Sequence, residues 1–466
     1  MKLTVKTDSE EVTKEFHSDI LLWDALKEMG VVLDRPCGGR GVCGNCQVIA
    51  NGEPVRACIT HLEEDTVVED LPLADDVQVV TAGYVPTAGD NALVKHGYGL
   101  AIDIGTTTIA GYLYQFPEGK TVKTVGMVNT QAQHGADVVT RMEYALKGGA
   151  IELQQCLEKQ IGLLTGDAKI EKYVITGNTT MLHFLTGKST QGMSCAPYIP
   201  ESLFGQWYGD MYLPKCISAF VGADITCAVL ASGMLKQKTA LLVDIGTNGE
   251  MVLWHKGKLL CCSAAAGPAF EGAEISQGML AESGAINKVY LENGVVKYTT
   301  IGGCKAKGIC GSGLIDAIAV MLKLGVLDDT GYLEEPFAIA DSEVYITPED
   351  VRQVQLAKAA IRAGMETLLH EAGCSYEELE CFYIAGGFGS YIDKVHGAAI
   401  GLFPEELLSK VSVIGNAAGT GASMILNSQK CLEESRRIAE MAMILPLADS
   451  TFFAEMYVQQ MLFESE

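Results

Sequence analysis

The residues with the clearest chemistry are four cysteines, Cys37, Cys43, Cys46 and Cys58, spaced Cys-x5-Cys-x2-Cys-x11-Cys, with Gly38, Gly39, Gly41 and Gly44 between the first three. Four thiolates that converge on two irons need a loop whose backbone turns N–H groups toward the sulfurs, and glycine permits both the left-handed geometry and the close approach. The spacing is close to the Cys-x4-Cys-x2-Cys pattern of plant-type 2Fe-2S carriers. Structural zinc is the alternative, since Cys43-x2-Cys46 alone suits a zinc knuckle. Three cysteines on one Gly-rich loop, with the fourth beyond a strand, favour the iron–sulfur cluster over two short zinc-binding pairs. The remaining cysteines show no comparable spacing, and buried inert thiols are the expectation for them. Cys304 and Cys310, near Gly311-Ser312-Gly313, are the first candidates for a second cluster.

A different chemistry is written twice farther on. Leu100-Ala101-Ile102-Asp103-Ile104-Gly105-Thr106-Thr107-Thr108 corresponds to Leu241-Leu242-Val243-Asp244-Ile245-Gly246-Thr247-Asn248-Gly249, each an apolar strand, a tight turn and a returning strand. Such a turn wraps backbone N–H groups and threonine hydroxyls around a phosphate, while its carboxylate holds hydrated Mg2+. Asp103, Gly105, Thr106 and Thr107 are the candidates for one phosphate loop, and Asp244, Gly246, Thr247 and Asn248 for the other. Neither turn has the Gly-x4-Gly-Lys-Ser/Thr form of a P-loop. The short strand Phe382-Tyr383-Ile384 enters Ala385-Gly386-Gly387-Phe388-Gly389, where missing side chains would let adenine lie against the backbone, so Gly386, Gly387 and Phe388 complete the expected ATP site. Gly415-Asn416-Ala417-Ala418-Gly419-Thr420-Gly421 opens a small-residue helix suited to a close helix crossing at a hinge.

These residues need positioning elements. Residues 3–16 alternate as two short strands, and Leu21, Leu22, Ala25 and Leu26 share one helical face. Strand segments return at Gln47–Ile49 and Thr66–Val68, so the first unit spans residues 1–80. Residues 81–96 lack periodicity and form a linker. From residue 97 strands alternate with helical patterns at Ala136–Leu146, Ala150–Leu163, Leu314–Leu324, Pro348–Ala372 and Ala422–Leu426, which favours α/β layers. The duplicated turns divide this part into 97–235 and 236–466.

The 466-residue chain carries a formal charge of -24, which argues against a nucleic-acid surface because such surfaces need clustered Lys and Arg. No apolar stretch approaches the roughly 20 residues that span a bilayer, and Met1-Lys2-Leu3-Thr4-Val5-Lys6 lacks the pattern of a signal peptide. A cytoplasmic protein without membrane contact is expected.

The ordered set of turns, Gly-rich run and hinge helix resembles the family of acetate and sugar kinases, heat-shock chaperones and actin, whose fold has two ribonuclease-H-like halves closing over ATP. The cysteine loop resembles the β-grasp ferredoxins, in particular their adrenodoxin-like branch. Together they resemble the ATP-dependent reductive activators of corrinoid proteins, through Asn129-Thr130-Gln131, Gly135–Arg141, Gly177–His183, Ala196-Pro197-Tyr198, Val221–Asp224, Gly267–Gly272, Gly308–Asp316 and Gln355–Ile361. That resemblance covers nearly the whole chain. It implies a multidomain α/β protein, a β-grasp 2Fe-2S ferredoxin domain followed by a duplicated ribonuclease-H-like ATPase, that returns a cobalt(II) corrinoid to cobalt(I) with one electron. ATP, Mg2+ and the cluster are the implied cofactors; a corrinoid protein of a methyltransferase system, an upstream electron donor and a second copy of the chain are the implied partners. Plant-type clusters sit near roughly -400 mV, and each 100 mV of uphill transfer costs about 2.3 kcal/mol per electron, which nucleotide-dependent affinity for the partner would have to supply. Several members of that family carry a longer segment between cluster and ATPase than residues 81–96 provide. The alternatives are an activator of a radical dehydratase and a nucleotide-regulated ferredoxin without turnover. His183 is expected as a core or capping histidine rather than a cobalt ligand. Asp137, Arg141 and Asp224 are open between structural and nucleotide or interdomain roles.

Overall fold

The computed structural model describes residues 1–6, 11–17, 19–29, 31, 46–69 and 91–463. The expectations for Cys37, Cys43, residues 70–80 and residues 81–90 of the linker lie outside the described residues.

The first unit is a five-stranded mixed sheet of order β2-β1-β5-β3-β4, built from β1 (Lys2–Lys6), β2 (Glu11–Glu15), β3 (Gln47–Ala50), β4 (Glu53–Arg56) and β5 (Thr66–Glu69). β1 pairs antiparallel with β2 and parallel with β5. Helix α1 (Leu22–Glu28) buries Leu22, Trp23, Ala25 and Leu26, the expected face, against Leu3, Val5, Val48 and Val68. Cys46 and Cys58 belong to the same small core.

The next unit begins before the strand that the sequence marks. Ala92 and Val94 are buried, and Leu93 N–H donates to Leu426 O while Gln429 N–H donates to Asn91 O. The first large sheet has the order β10-β11-β9-β6-β7-β8, from β6 (Gly97–Ile104), β7 (Thr108–Phe116), β8 (Lys120–Val128), β9 (Ile170–Gly177), β10 (Gln206–Tyr208) and β11 (Met211–Leu213). Its helices are α2 (Val138–Tyr144), α3 (Ala150–Thr165), α4 (Thr179–Thr186) and α5 (Ala223–Ser232). β6 is apolar over Leu100–Ile102 and again at Ile104 because both its faces are covered, whereas β8, at the sheet edge, carries lysines and is largely exposed.

The second large sheet has the order β21-β20-β12-β13-β14-β22, from β12 (Thr239–Ile245), β13 (Gly249–His255), β14 (Lys258–Ala264), β20 (Cys381–Ala385), β21 (Val411–Val413) and β22 (Ala442–Ile444). Between β14 and β20 lie β15 (Ala285–Glu292), β16 (Val295–Thr300), β17 (Gly308–Ile309), α6 (Gly311–Leu324), the small pair β18 (Phe337–Ala338) and β19 (Tyr345–Ile346), and α7 (Pro348–Ala372). After β20 come α8 (Lys394–Ala399), α9 (Ala417–Asn427), α10 (Gln429–Met441) and α11 (Thr451–Gln459). The two sheets repeat one topology: an antiparallel triplet, β6-β7-β8 or β12-β13-β14, then a parallel strand beside its first member, β9 or β20, and a further parallel strand, β11 or β21. The internal repeat of the sequence is thus a repeat of fold.

α5 and α9 pack between the sheets in a core that joins Ala101 and Tyr112 of one to Leu242 and Val252 of the other. At Gly421 a Cβ would fall inside the backbone of Cys227, so only glycine lets α9 lie this close to α5. α7 starts at a capping box of Thr347 and Asp350 with Pro348 in its first turn, and ends at Gly373 with φ 60°.

Candidate functional site

β6 and β12 hold equivalent places in their two sheets and deliver Asp103 and Asp244 to one cleft of about 230 Å3. At the first turn Gly105 N–H donates to Thr108 O at 2.9 Å, and Asn129 Nδ2 ties down Gly105 O at 2.8 Å. Asn178 Nδ2 donates to Thr106 Oγ1 at 3.0 Å. At the second turn Gly246 N–H donates to Asn248 O at 3.1 Å. Gly105, Thr106, Thr107, Gly246, Thr247 and Asn248 all line the cleft, as do Gly386 and Gly387. Phe388 opens a short 3-10 turn directly after them. Gly386 has φ +92° and a Cβ there would meet Asp244 Oδ1 at 2.5 Å, so the chain passes this carboxylate only as glycine.

Four further residues enter that the sequence reading did not place in the site. Asn416 caps α9 by accepting from Gly419 N–H at 2.6 Å and donates from Nδ2 to Asp103 Oδ2 at 2.9 Å, joining the hinge helix to the first phosphate turn. Glu271 accepts from the Thr107 hydroxyl at 2.6 Å, from the Thr247 hydroxyl at 2.9 Å and from Thr247 N–H at 2.9 Å, so one carboxylate clasps both turns. Glu250 faces Asp244 across the β12–β13 pair. Asp224 stands at the start of α5, where its Oδ1 accepts from Ile225 N–H at 2.8 Å. Signals existed: Gly267–Gly272 and Val221–Asp224 stood out as motifs, and Glu250 is an acid beside the apolar run Met251–Trp254 of its strand.

The crowded acids of the cleft must hold protons or a cation. Asp103, Asp224, Asp244, Glu250 and Glu271 line the cleft without a single Lys or Arg among the lining residues. Burial, with the neighbouring charge of Asp224, pushes Asp103 up to about 8, against the lowering effect of its Asn416 hydrogen bond. Burial and the charges of Asp224 and Glu271 push Asp244 up to about 7. Burial likewise lifts Asp224 to about 6 and Glu250 well above the usual carboxylate range. Each of these acids lies deep yet keeps part of its surface open to the cleft. Carboxylates so crowded hold protons or a hard cation, and oxygen-only donors suit Mg2+. Such an ion would favour entry of a polyanion at the backbone N–H groups and hydroxyls of the two turns.

The other expectations sort out plainly. Asp137 caps α2 in a box with Thr140. Arg141 is wholly buried beneath the first turn, with Nε donating to Gly135 O at 2.8 Å, and burial brings it down to about 10. Of the three open residues, Asp224 alone lines the cleft. His183 is a core histidine: Nδ1 meets Thr179 O at 2.7 Å and Nε2 accepts from Ser202 N–H at 3.3 Å. Cys304 Sγ contacts Ser283 at the surface, while Cys310 Sγ is buried against Ile286 O. Cys46 and Cys58 are buried across the β3–β4 hairpin, where Ala57 N–H donates to Cys46 O at 3.0 Å. Among the described residues no helix is long and apolar enough to cross a membrane.

Residues 98–237 match the RACo middle region, and residues 238–466 match the C-terminal domain of RACo, the ASKHA domain. The chain is 34% identical over 431 residues to the corrinoid activation enzyme RamQ of Eubacterium limosum, covering 80% of this chain and 71% of that protein. It is 28% identical over 388 residues to the [Co(II) methylated amine-specific corrinoid protein] reductase of Methanosarcina barkeri, covering 73% and 71%. A solved structure of a reductive activator for corrinoid, iron-sulfur protein superposes with a TM-score of 0.72 at 28% identity, covering 99% of this chain and 98% of that one.

Proposed function

The chain belongs to the RACo family of reductive activators of corrinoid proteins, and from that premise we propose that it reduces the cobalt(II) form of a partner corrinoid protein to cobalt(I) by one electron, at the expense of ATP. The observation that carries the reading is the pair of duplicated turns meeting over a carboxylate-lined cleft and clasped by Glu271. An ASKHA domain binds ATP between its halves, and this cleft supplies the donors for its phosphates.

Within that reading Thr106, Thr107, Thr247 and Asn248 would hold the phosphates, and Asp103 and Asp244 would hold Mg2+, which would supply charge neutralisation. The bare backbone at Gly386 and Gly387, followed by Phe388, would receive adenine. Asn416 links Asp103 to α9, so any movement of the phosphate turns is passed to the crossing of α9 with α5. Hinge closure of two packed halves is the motion such an arrangement permits.

The sheet order β2-β1-β5-β3-β4 crossed by α1 supports a ferredoxin-type first domain, and the two described cysteines, Cys46 and Cys58, fit a shared cluster site in its core. A 2Fe-2S cluster held by Cys37, Cys43, Cys46 and Cys58 would supply the one-electron carrier. The names of the relatives favour corrinoid proteins over radical dehydratases as the acceptor.

The direct test mixes the anaerobic, cluster-loaded protein with reductant, Mg-ATP and corrinoid proteins of methyltransferase systems, and follows the cobalt(I) absorption band. Cobalt(I) that forms only with ATP supports the reading. ATP turnover with every corrinoid protein and no cobalt(I) overturns it.

A further inference from the structure

At the end of the second sheet remote from the phosphate turns, three donors of different chemistry converge. His255 closes β13, Cys374 follows the αL residue Gly373 that ends α7, and Glu378 ends the short turn Tyr376–Glu378 before β20. One ring nitrogen, the sulfur and one carboxylate oxygen all lie within 4.8 Å of one another. Asp244 and Gly249 stand at the opposite ends of β12 and β13, so seven-residue strands, about 20 Å long at about 3.3 Å per residue, separate this cluster from the nucleotide cleft.

The histidine is set up as a ligand. It is 5% exposed, and Nδ1 meets Thr239 Oγ1 at 2.9 Å, directly across the β12–β13 register. Nε2 is buried without a partner among the described residues. A buried imidazole nitrogen left unpaired costs free energy, while a metal-bound histidine characteristically has its other nitrogen fixed by a neighbouring oxygen, the arrangement found here. The loop is braced as well: Glu378 Oε2 accepts from Ser375 N–H at 3.1 Å, leaving its other oxygen for a ligand, and Lys410 Nζ donates to Tyr376 O and Glu377 O at 2.9 and 3.0 Å.

We propose that His255, Cys374 and Glu378 form a zinc site, independent of the activation reaction, that pins the far end of the β12–β13 hairpin to the α7–β20 connection. Mixed nitrogen, sulfur and oxygen donors select zinc over magnesium or calcium, which take oxygen alone. Tetrahedral zinc, with nitrogen at about 2.0 Å and sulfur at about 2.3 Å, sets donor separations of about 3.5 Å. Rotation of the Cys374 and Glu378 side chains, half-buried and exposed respectively, draws the donors together by the remaining ångström or so. The Cys374 thiol loses its proton to solvent as the sulfur–zinc bond forms, and water takes the fourth position on the exposed side.

The test uses the full chain, stripped with a chelator under anaerobic conditions and titrated with zinc chloride or cobalt(II) chloride. Parent, Cys374→Ser and His255→Gln chains are compared, so that any metal taken by the four N-terminal cysteines is common to all and subtracts. The parent is expected to hold one zinc more per chain than either variant, and to melt several degrees higher with zinc than without, a gain that Cys374→Ser loses. Zinc should also slow alkylation of Cys374, read by peptide mass spectrometry, at least tenfold. Should His255→Gln fail to fold, Cys374→Ser, at a half-buried position, carries the comparison alone. Equal zinc content in parent and Cys374→Ser, with Cys374 alkylated equally fast with and without zinc, would overturn the site.

Discussion

Asp103 and Asp244 occupy equivalent positions in two copies of one turn, but their surroundings differ: Asp103 is held by Asn416, and Asp244 faces Glu250. Replacing Asp244 by Ala is expected to abolish Mg-dependent ATP hydrolysis by about a hundredfold or more, because an electrostatic partner of the phosphates is lost in a secluded cleft. Asp244→Asn separates a metal-orienting role from simple turn capping; near-parental cobalt(I) formation in that variant would assign Asp244 to the turn alone. Glu271 presents a further test, since it accepts from the hydroxyls and N–H that phosphate oxygens would take. A unit charge about 8 Å from a phosphate charge repels it by about 2 kcal/mol at an effective dielectric of 20. Glu271→Gln should therefore bind ATP more than tenfold tighter in EDTA, measured by calorimetry, with the difference shrinking when Mg2+ is added. The turns themselves were legible because each is a contiguous motif. Asn416 was not placed, because its partner Asp103 lies 313 residues away and no local pattern encodes such a meeting.

At the scale of elements, what could be foreseen follows from where the signal is local. The bounds of α7 agree with the expected Pro348–Ala372, since Thr347, Pro348 and Gly373 mark both ends. α5 was not foreseen: Ile225, Cys227, Ala228, Val229 and Leu230 are all buried, so no polar face betrays a helical period. α10, with Leu432, Ser435, Ile438 and Ala439 on its buried face, carries a signal that the expectations did not use. The crossing of α9 over α5 makes Gly421→Ala costly, by about 1–3 kcal/mol of overpacking, and thermal unfolding of the ATPase should shift down accordingly. α8 is docked by His396, whose Nδ1 meets Asp316 Oδ1 at 2.6 Å under α6. That hydrogen bond, against partial burial and Lys288 and aided by the charges of Asp316 and Asp393, holds His396 above the usual imidazole value. A histidine raised in the folded state contributes stability in full below its unfolded value of about 6.5 and loses it as pH climbs through the folded value. Denaturant titrations should show this decline between pH 6.5 and a point above it in the parent, and its absence in His396→Asn.

Across the whole molecule, the division of labour is visible in how the cores are partitioned. Among the described residues, the core holding Cys46 and Cys58 draws on residues between Leu3 and Val68, whereas the three cores of the ATPase draw on residues from Ala92 to Phe463. Side chains that share no core, hydrogen bond or ion pair perturb one another little, and distant changes add to within about 0.5 kcal/mol, or roughly a twofold change in an affinity. Cys46→Ser removes one expected cluster thiolate and places a hydroxyl at a site with no solvent exposure, which costs about 1–3 kcal/mol where the oxygen finds no partner. Most of that cost falls on the first unit, although the charge of Lys27 on α1 reaches Glu152 and Cys156 of α3. The variant should therefore lose most of its iron and melt its N-terminal sheet at a lower temperature, while binding ATP within about twofold of the parent and keeping the ATPase transition in place. Calorimetry and iron analysis on the same preparation decide the matter. Iron equal to the parent's would remove Cys46 from the cluster, and a fall in ATP affinity of tenfold or more would mean that the two units share energy that their separate cores do not reveal.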